Sequence, residues 1–292
     1  MTPTQARKIE ADFYNRSNPS EEDIFAFTEA MEYLIDKEHD PQDMMNLGGY
    51  YYEIKRFDLA LKYYEMAAAF DYDPADECLG YIWYYGRTGE KDYEKAFRHF
   101  SKAADRGNTV AAYKVADMYK NGYFVEQDQA KYEQMIEALY LKVKSMRHVF
   151  DPVPEIFTRL AKIRAGQDRT EEAVNLYLTA KDFLAQRIRY NSFFGNLNIM
   201  KWLIDDLYEL IEFDRNYFDL FDLYYLLRSP NRITFYYRDE QYEAEAIEEG
   251  GACAVRFGGK WFRDRDDFFG NAVIGNEKLV AVNDDLYGFE VK

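Results

Sequence analysis

The chain has 292 residues, 48% apolar and 31% charged, enough to bury a sizeable core as one large domain or two ordinary ones. Its net charge of −16 repels phosphate backbones and anionic lipid surfaces, so nucleic acid and membrane are poor partners. The 27 tyrosines are unusual, because amphipathic rings suit both half-buried repeat faces and binding surfaces.

The first residues lack the apolar run of a secretory signal, and no stretch approaches the roughly 18 apolar residues of a membrane span. Residues 4–38 read as a worn helix pair. Ser20 followed by Glu21, Glu22 and Asp23 is a helix start, with Ala26, Ala30 and Tyr33 as its small-and-aromatic stripe. His39-Asp40-Pro41 breaks the chain before a regular pattern begins.

That pattern is clearest from Leu79 to Gly107, two amphipathic helical segments joined by a glycine-containing turn. Ala96, Phe100, Ala103, Ala104 and Gly107 recur at steps that share one helix face. Thirty-six residues on, Val115, Ala116, Tyr119, Gly122, Asp128 and Lys131 answer Leu79, Gly80, Trp83, Gly86, Asp92 and Lys95. Thirty-six residues back, Ala60, Tyr64, Ala67 and Ala68 answer Ala96, Phe100, Ala103 and Ala104. The first helix of that earlier copy, with Leu47, Gly48 and Tyr51, lies only thirty-two before its counterpart, so its turn is four residues shorter. A period kept in helices and broken at a turn fits a stacked solenoid. Helix pairs are expected across 42–74, 75–110, 111–147 and 155–187. In the last, Leu160, Ala173, Tyr177 and Ala180 repeat the spacing of Leu47, Ala60, Tyr64 and Ala67.

Arg147 to Pro154 is a stiff breaker with two prolines. Ile199–Phe213 and Tyr217–Leu227 read as two capping helices at about 196–228, with Trp202, Leu203, Leu207, Leu210, Tyr217, Phe221 and Tyr224 on their apolar sides. Ser229-Pro230 ends the helices, and the period changes from 3.6 to 2. Ile233–Tyr237, Tyr242–Ile247, Ala252–Phe257, Lys260–Arg263, Phe269–Ile274, Lys278–Asn283 and Leu286–Val291 read as short strands separated by turn residues. The fold expected is an α-solenoid of stacked antiparallel helix pairs over 1–230, then a small antiparallel β-domain over 231–292, a meander making a sheet or partly closed barrel.

The repeats resemble the Sel1-like repeat family, relatives of the tetratricopeptide repeats. Ala75, Leu79-Gly80, Trp83, Gly86, Asp92, Lys95-Ala96, Phe100, Lys102-Ala103-Ala104 and Gly107 match that family's pattern. The sequence departs from it at Thr88-Gly89, where the family has Gly-Val, and at His99, where it has an aromatic. The resemblance covers about 42–190 and implies an adaptor whose stacked helices present a groove to other proteins. Secreted bacterial members carry cysteine pairs within each hairpin. Cys78 has no such partner, and Cys253 lies far away, so a reducing cytoplasm is expected.

His39, His99 and His148 have no ligand spacing, and His99 is assigned to packing. With no CxxC, no HxxxH and no Gly-rich phosphate loop, no metal, cofactor or catalytic residue is expected. Asp264, Asp266 and Asp267 lie beside Arg263 and Arg265 and read as a solvated turn. In tetratricopeptide-like stacking, the first helix of each pair lines the concave face. The groove residues are then Met45, Tyr52 and Glu53 of one copy, Glu77, Tyr81, Tyr84 and Tyr85 of the next, and Tyr113, Asp117, Lys120 and Asn121 of the third. An aromatic floor with mixed polar neighbours suits an extended peptide or a partner helix. The three acidic positions favour a partner segment of some basic character. The function expected is a non-enzymatic scaffold that binds a protein or peptide. The alternative is an enzymatic or small-molecule activity in the C-terminal β-domain, with the repeats recruiting its target.

Overall fold

The computed structural model describes residues 1–16, 19–191 and 194–292. Two compact units divide it, Met1–Met135 and Ile136–Lys292. Compactness divides the chain earlier than the change of period at 230/231, and residues after that change are tied to the helices before it, Arg265 to Asp205 and Asn283 to the Ala185 carbonyl.

The first unit is helical: α1 (Pro3–Tyr14), α2 (Glu21–Glu38), α3 (Pro41–Glu53), α4 (Phe57–Ala68), α5 (Asp73–Tyr85), α6 (Tyr93–Asp105), α7 (Thr109–Asn121) and the start of α8 (Gln129–Val143). Ser20 caps α2 as expected: its hydroxyl accepts from the Asp23 N–H at 3.2 Å, and the Asp23 carboxylate accepts from the Ser20 N–H at 2.9 Å. The buried stripe of α2 is Phe27, Ala30, Met31, Leu34 and Ile35, whereas Ala26 and Tyr33 are half-buried.

The 36-residue period is a repeated geometry. Asp92 and Asp128 each cap a second helix, accepting from the backbone N–H of Lys95 and Lys131 at 2.9 and 2.8 Å. Their own N–H groups donate to the carbonyls of Trp83 and Tyr119. The two lysines then lay their ammonium groups 4.0 Å from the centres of those same rings, Trp83 and Tyr119. Gly86 and Gly122 end α5 and α7 in the left-handed region, φ 62° and 67°, where a side chain would be strained. The shorter turn after α3 reverses instead at Lys55, φ 62°.

Close approach sets the pairing within each hairpin. A Cβ at Gly48 would lie 2.7 Å from the Tyr64 ring, and one at Gly80 would lie 2.5 Å from the Phe100 ring. Ala60, Ala67, Ala96 and Ala103 are fully buried at the same contacts. Gly107 does not belong to the packing stripe: it is exposed at φ 94° beyond the end of α6 and makes the turn into α7.

The second unit holds the rest of α8, α9 (Val153–Gly166), α10 (Thr170–Tyr190), α11 (Phe194–Leu210) and a single turn, α12 (Leu223–Leu226). Leu160, Ala173, Tyr177 and Ala180 are buried, as the spacing of the fourth copy requires. The segment 217–227 is not the second capping helix expected. Carboxylates take its backbone donors: Asp214 accepts from the Asn216 N–H, Asp219 from Phe221 and Asp222, and Asp222 from Asp219. Such local bonds compete with the helical ladder and turn the chain. Trp202 and Tyr217, assigned to apolar sides, are 67% and 89% exposed.

Strands β1 (Arg232–Tyr237), β2 (Glu240–Glu249), β3 (Ala252–Phe257), β4 (Lys260–Phe262), β5 (Val273–Ile274), β6 (Glu277–Lys278) and β7 (Leu286–Val291) follow. Five form an antiparallel sheet in the order β4-β3-β2-β1-β7, with β5 and β6 as a separate two-stranded ribbon. The sheet is therefore a four-strand meander whose first strand also receives the last. Two of the expected strands survive only in part. Of Phe269–Ile274, the first three residues lie in α13 (Arg265–Asn271) and the end is β5; of Lys278–Asn283, Lys278 ends β6 and the rest is the 3-10 helix 279–285. Asp264 accepts from the Asp267 N–H at 2.8 Å and starts α13, so the aspartates form a helix cap in place of a solvated turn. Arg265 reaches Asp205 of α11 with both terminal nitrogens at 3.0 Å and lies over the Tyr224 ring at 3.8 Å. Asp266 accepts from Lys201 of α11 at 2.7 Å and from the Tyr224 hydroxyl at 3.0 Å.

Candidate functional site

The first helices of the repeats, α3, α5 and α7, bring most of the expected groove tyrosines together. Tyr81 and Tyr85, four residues apart on α5, stack at 6.0 Å between centroids, and Tyr84 meets Tyr85 edge-on at 5.0 Å. The Tyr81 and Tyr113 hydroxyls share a hydrogen bond of 3.2 Å across α5 and α7. Tyr52 of α3 joins through Arg87, whose Nε donates to its hydroxyl at 3.0 Å.

Two cations that sequence reasoning passed over organise this cluster. Lys114, 8% exposed, holds its ammonium 5.3 to 5.5 Å from the ring centres of Tyr81, Tyr84, Tyr85 and Tyr113, and donates to the Tyr85 hydroxyl at 3.2 Å. The Arg87 guanidinium lies 4.9 Å from the Tyr85 ring, 5.5 Å from Phe57 and 5.7 Å from Tyr52. The signal for Lys114 was present in AAYKVAD, where a lysine stands inside an otherwise buried run. Arg87 follows the helix-ending Gly86, a place that reads as plain turn.

Burial differs among the expected residues. Tyr113 is 5% exposed and cannot present its ring to a partner; its hydroxyl meets that of Tyr81. Tyr84 is half-buried, packed edge-on against Tyr93, Phe100 and Tyr123. Burial, with the nearby Asp117 carboxylate, pushes its hydroxyl well above the ordinary value. Tyr85, at 42%, is the exposed ring. Glu77 is engaged: Asn108 donates to its carboxylate at 2.7 Å. Loss of water raises the Glu77 carboxyl above its usual range, against the opposing pull of that bond and of the Lys114 charge. Lys120 and Asn121 do not join the cluster. The Lys120 ammonium lies 5.2 Å from the Tyr132 ring of α8, and Asn121 folds back to donate to the Asp117 carbonyl.

Met45 and Glu53 line a separate cleft of about 460 Å³ on the same unit, with Phe13 and Tyr14 of α1 and Gly49 and Tyr50 of α3. Phe13, Tyr14 and Tyr50 floor it with edge-on ring contacts of 5.6 to 5.8 Å. His99, assigned to packing, holds a polar role: its Nδ1 lies 2.9 Å from buried Asp76, which Lys102 also approaches at 2.9 Å. In the second unit, Asp264, Asp266 and Asp267 are all engaged in the cap and the ties to α11.

The Sel1 repeat model matches residues 41–69, 79–108 and 109–131. Among solved structures, a Sel1 repeat protein from Oxalobacter formigenes is 21% identical over 70% of this chain and 78% of that one, with a TM-score of 0.47. A protective antigen of uropathogenic Escherichia coli displaying an SLR fold, c5321, is 16% identical over 71% of this chain and 46% of its own, with a TM-score of 0.48. PilW, a type IV pilus biogenesis factor, is 14% identical over 71% and 92%, with a TM-score of 0.42. No curated protein matches. The helices from α3 to the start of α8 are thus three Sel1 repeats, the family whose pattern the sequence resembles.

Proposed function

We propose that the chain is a non-enzymatic scaffold that binds a protein or peptide segment along the face formed by α3, α5 and α7. The observation that carries this reading is the gathering of Tyr52, Tyr81, Tyr84 and Tyr85 from successive repeats around Arg87 and Lys114, with the Tyr85 ring open to solvent. Rigid amphipathic rings lose little conformational freedom on contact and dominate interface energetics. The free thiols of Cys78 and Cys253 support a cytoplasmic setting.

The test is capture from a cell lysate by the wild-type chain and by Tyr85→Ala, each quantified by mass spectrometry beside its thermal melt. A protein retained by the wild type and lost with Tyr85→Ala, at unchanged melting temperature, is the expected result. Identical capture by both would refute the assignment of this face.

A further inference from the structure

The buried cations of the chain separate into two kinds. Among the described residues, Arg164 meets Glu137, Lys181 meets Asp222 at 2.7 Å and Asp219 at 2.9 Å, and Arg187 meets Glu155 at 2.7 Å. Lys114 is equally buried, yet among the described residues it forms no ion pair within 4.0 Å. Its hydrogen-bond partner is the Tyr85 hydroxyl, and four tyrosine faces supply the rest of its compensation. A lysine ammonium has three donors, of which the Tyr85 hydroxyl takes one. Arg87 shares the arrangement. Its Nε goes to Tyr52, it forms no ion pair within 4.0 Å among the described residues, and it flanks the same Tyr85 ring. Two acidic groups lie in the same region, but neither makes an ion pair with Lys114: Glu77 accepts from Asn108 and feels the Lys114 charge only through space, and Asp117 stands beside Tyr84.

Two consequences follow from electrostatics. The ring faces already hold the protein's own cations, so a basic ligand would have to displace Lys114 or Arg87 from them. Two under-compensated cations on a chain of net charge −16 form a local positive site, and an incoming carboxylate would complete their hydrogen bonding. We propose that the docking segment of the partner is acidic, with an Asp or Glu side chain accepting hydrogen bonds from the Lys114 ammonium and the Arg87 guanidinium beside the Tyr85 ring. This replaces the basic partner suggested by Glu53, Glu77 and Asp117 in the sequence, and it rests on the docking role proposed for the face.

A display library of random ten-residue segments, fused at both ends so that no free terminal carboxylate is offered, separates the outcomes. It is selected against the full chain as wild type, Arg87→Met, Lys114→Met and Tyr85→Ala, each variant checked by its melt. The wild type is expected to enrich segments containing Asp or Glu. Synthetic versions of these should bind Arg87→Met about tenfold or more weakly, and lose a similar factor when their acids become Asn or Gln. Arg87 is partly exposed, so its variant carries the test even if Lys114→Met fails to fold. Enriched segments that lack acids but are lost with Tyr85→Ala would overturn the charge preference and leave the docking face standing. Selection of basic segments would overturn it equally. Enrichment indifferent to Tyr85→Ala, or no enrichment at all, would sink the docking face itself and the acidic preference with it.

Discussion

Gly48 and Gly49 are neighbours in α3, and their environments make them a controlled pair. Alanine at either site should gain about 1 kcal/mol from helix propensity, because glycine loses more backbone freedom on folding. At Gly49 the new Cβ meets nothing within 4 Å, so the gain should appear in full. At Gly48 it would stand 2.7 Å from Cδ1 and Cε1 of Tyr64, about 1 Å inside normal carbon contact. That ring is 4% exposed and packs in one cluster with Leu79 and Ile82, so it has little space to yield. Overpacking of this kind costs about 1–3 kcal/mol, which cancels or outweighs the propensity gain. The two substitutions should therefore differ by about 1–3 kcal/mol, with Gly49→Ala the more stable. Guanidinium denaturation followed by circular dichroism measures this directly, provided the slopes stay parallel. Tyr64→Leu combined with Gly48→Ala should show favourable coupling, since the smaller side chain leaves the space the methyl needs. If Gly48→Ala matched Gly49→Ala in stability, the close approach of α3 to α4 would be wrong, and the reading of the Leu-Gly pair with it.

Ala103→Phe should overpack a residue 1% exposed between α6 and its neighbours and lower stability by about 1–3 kcal/mol, read from the denaturation midpoint. Lys181→Met leaves Asp222 buried without its cation and should cost about 3–5 kcal/mol at neutral pH. Burial already raises the Asp222 carboxyl, and removing Lys181 raises it further; protonation relieves the variant, so the deficit should shrink as pH falls. Melts of both proteins across a pH series check the sign. Asp264→Ala removes the cap of α13 and should cost about 1 kcal/mol, seen as a lower midpoint.

The helix pairs were legible because their signals are local and repeated. Asp92 and Asp128 stand where a cap must, and Gly86 and Gly122 stand where the chain must turn left-handed. The segment 217–227 misled because its apolar residues keep helical spacing, while Asp214, Asp219 and Asp222 spend their carboxylates on the backbone. The run from Phe269 misled in the opposite sense, as a short apolar stretch reads as strand unless Asp264 and Asp267 are recognised as a helix start. In the candidate site, helix phase put Tyr52, Tyr81 and Tyr85 on one face, and in the fold Tyr81 stacks on Tyr85 while Arg87 links Tyr85 to Tyr52. Phase alone could not show that Tyr113 is covered or that Asn121 turns back on its own helix. Charge was the least legible property. The acids visible in the sequence are engaged or peripheral, and Lys114 acquires its meaning from four rings that only the folded chain assembles.

The strand order carries a consequence for the route by which the sheet forms. Strands β1 to β4 close through tight local turns, the first of them at Arg238 and Asp239, both at positive φ. Pairing of β7 with β1 requires the whole intervening segment, with α13, the β5–β6 ribbon and the 3-10 helix, to be spanned first. Contacts separated by a long loop form late, because the loss of chain freedom precedes their reward. Until then β1 is an open edge bearing Ile233, Phe235 and Tyr237, all of which end up buried. An unpaired apolar edge is a template for another chain. The vulnerable interval in this protein's folding is the wait between the closing of the meander and the arrival of β7, and mutations that slow α13 would lengthen it without changing a single contact of β1.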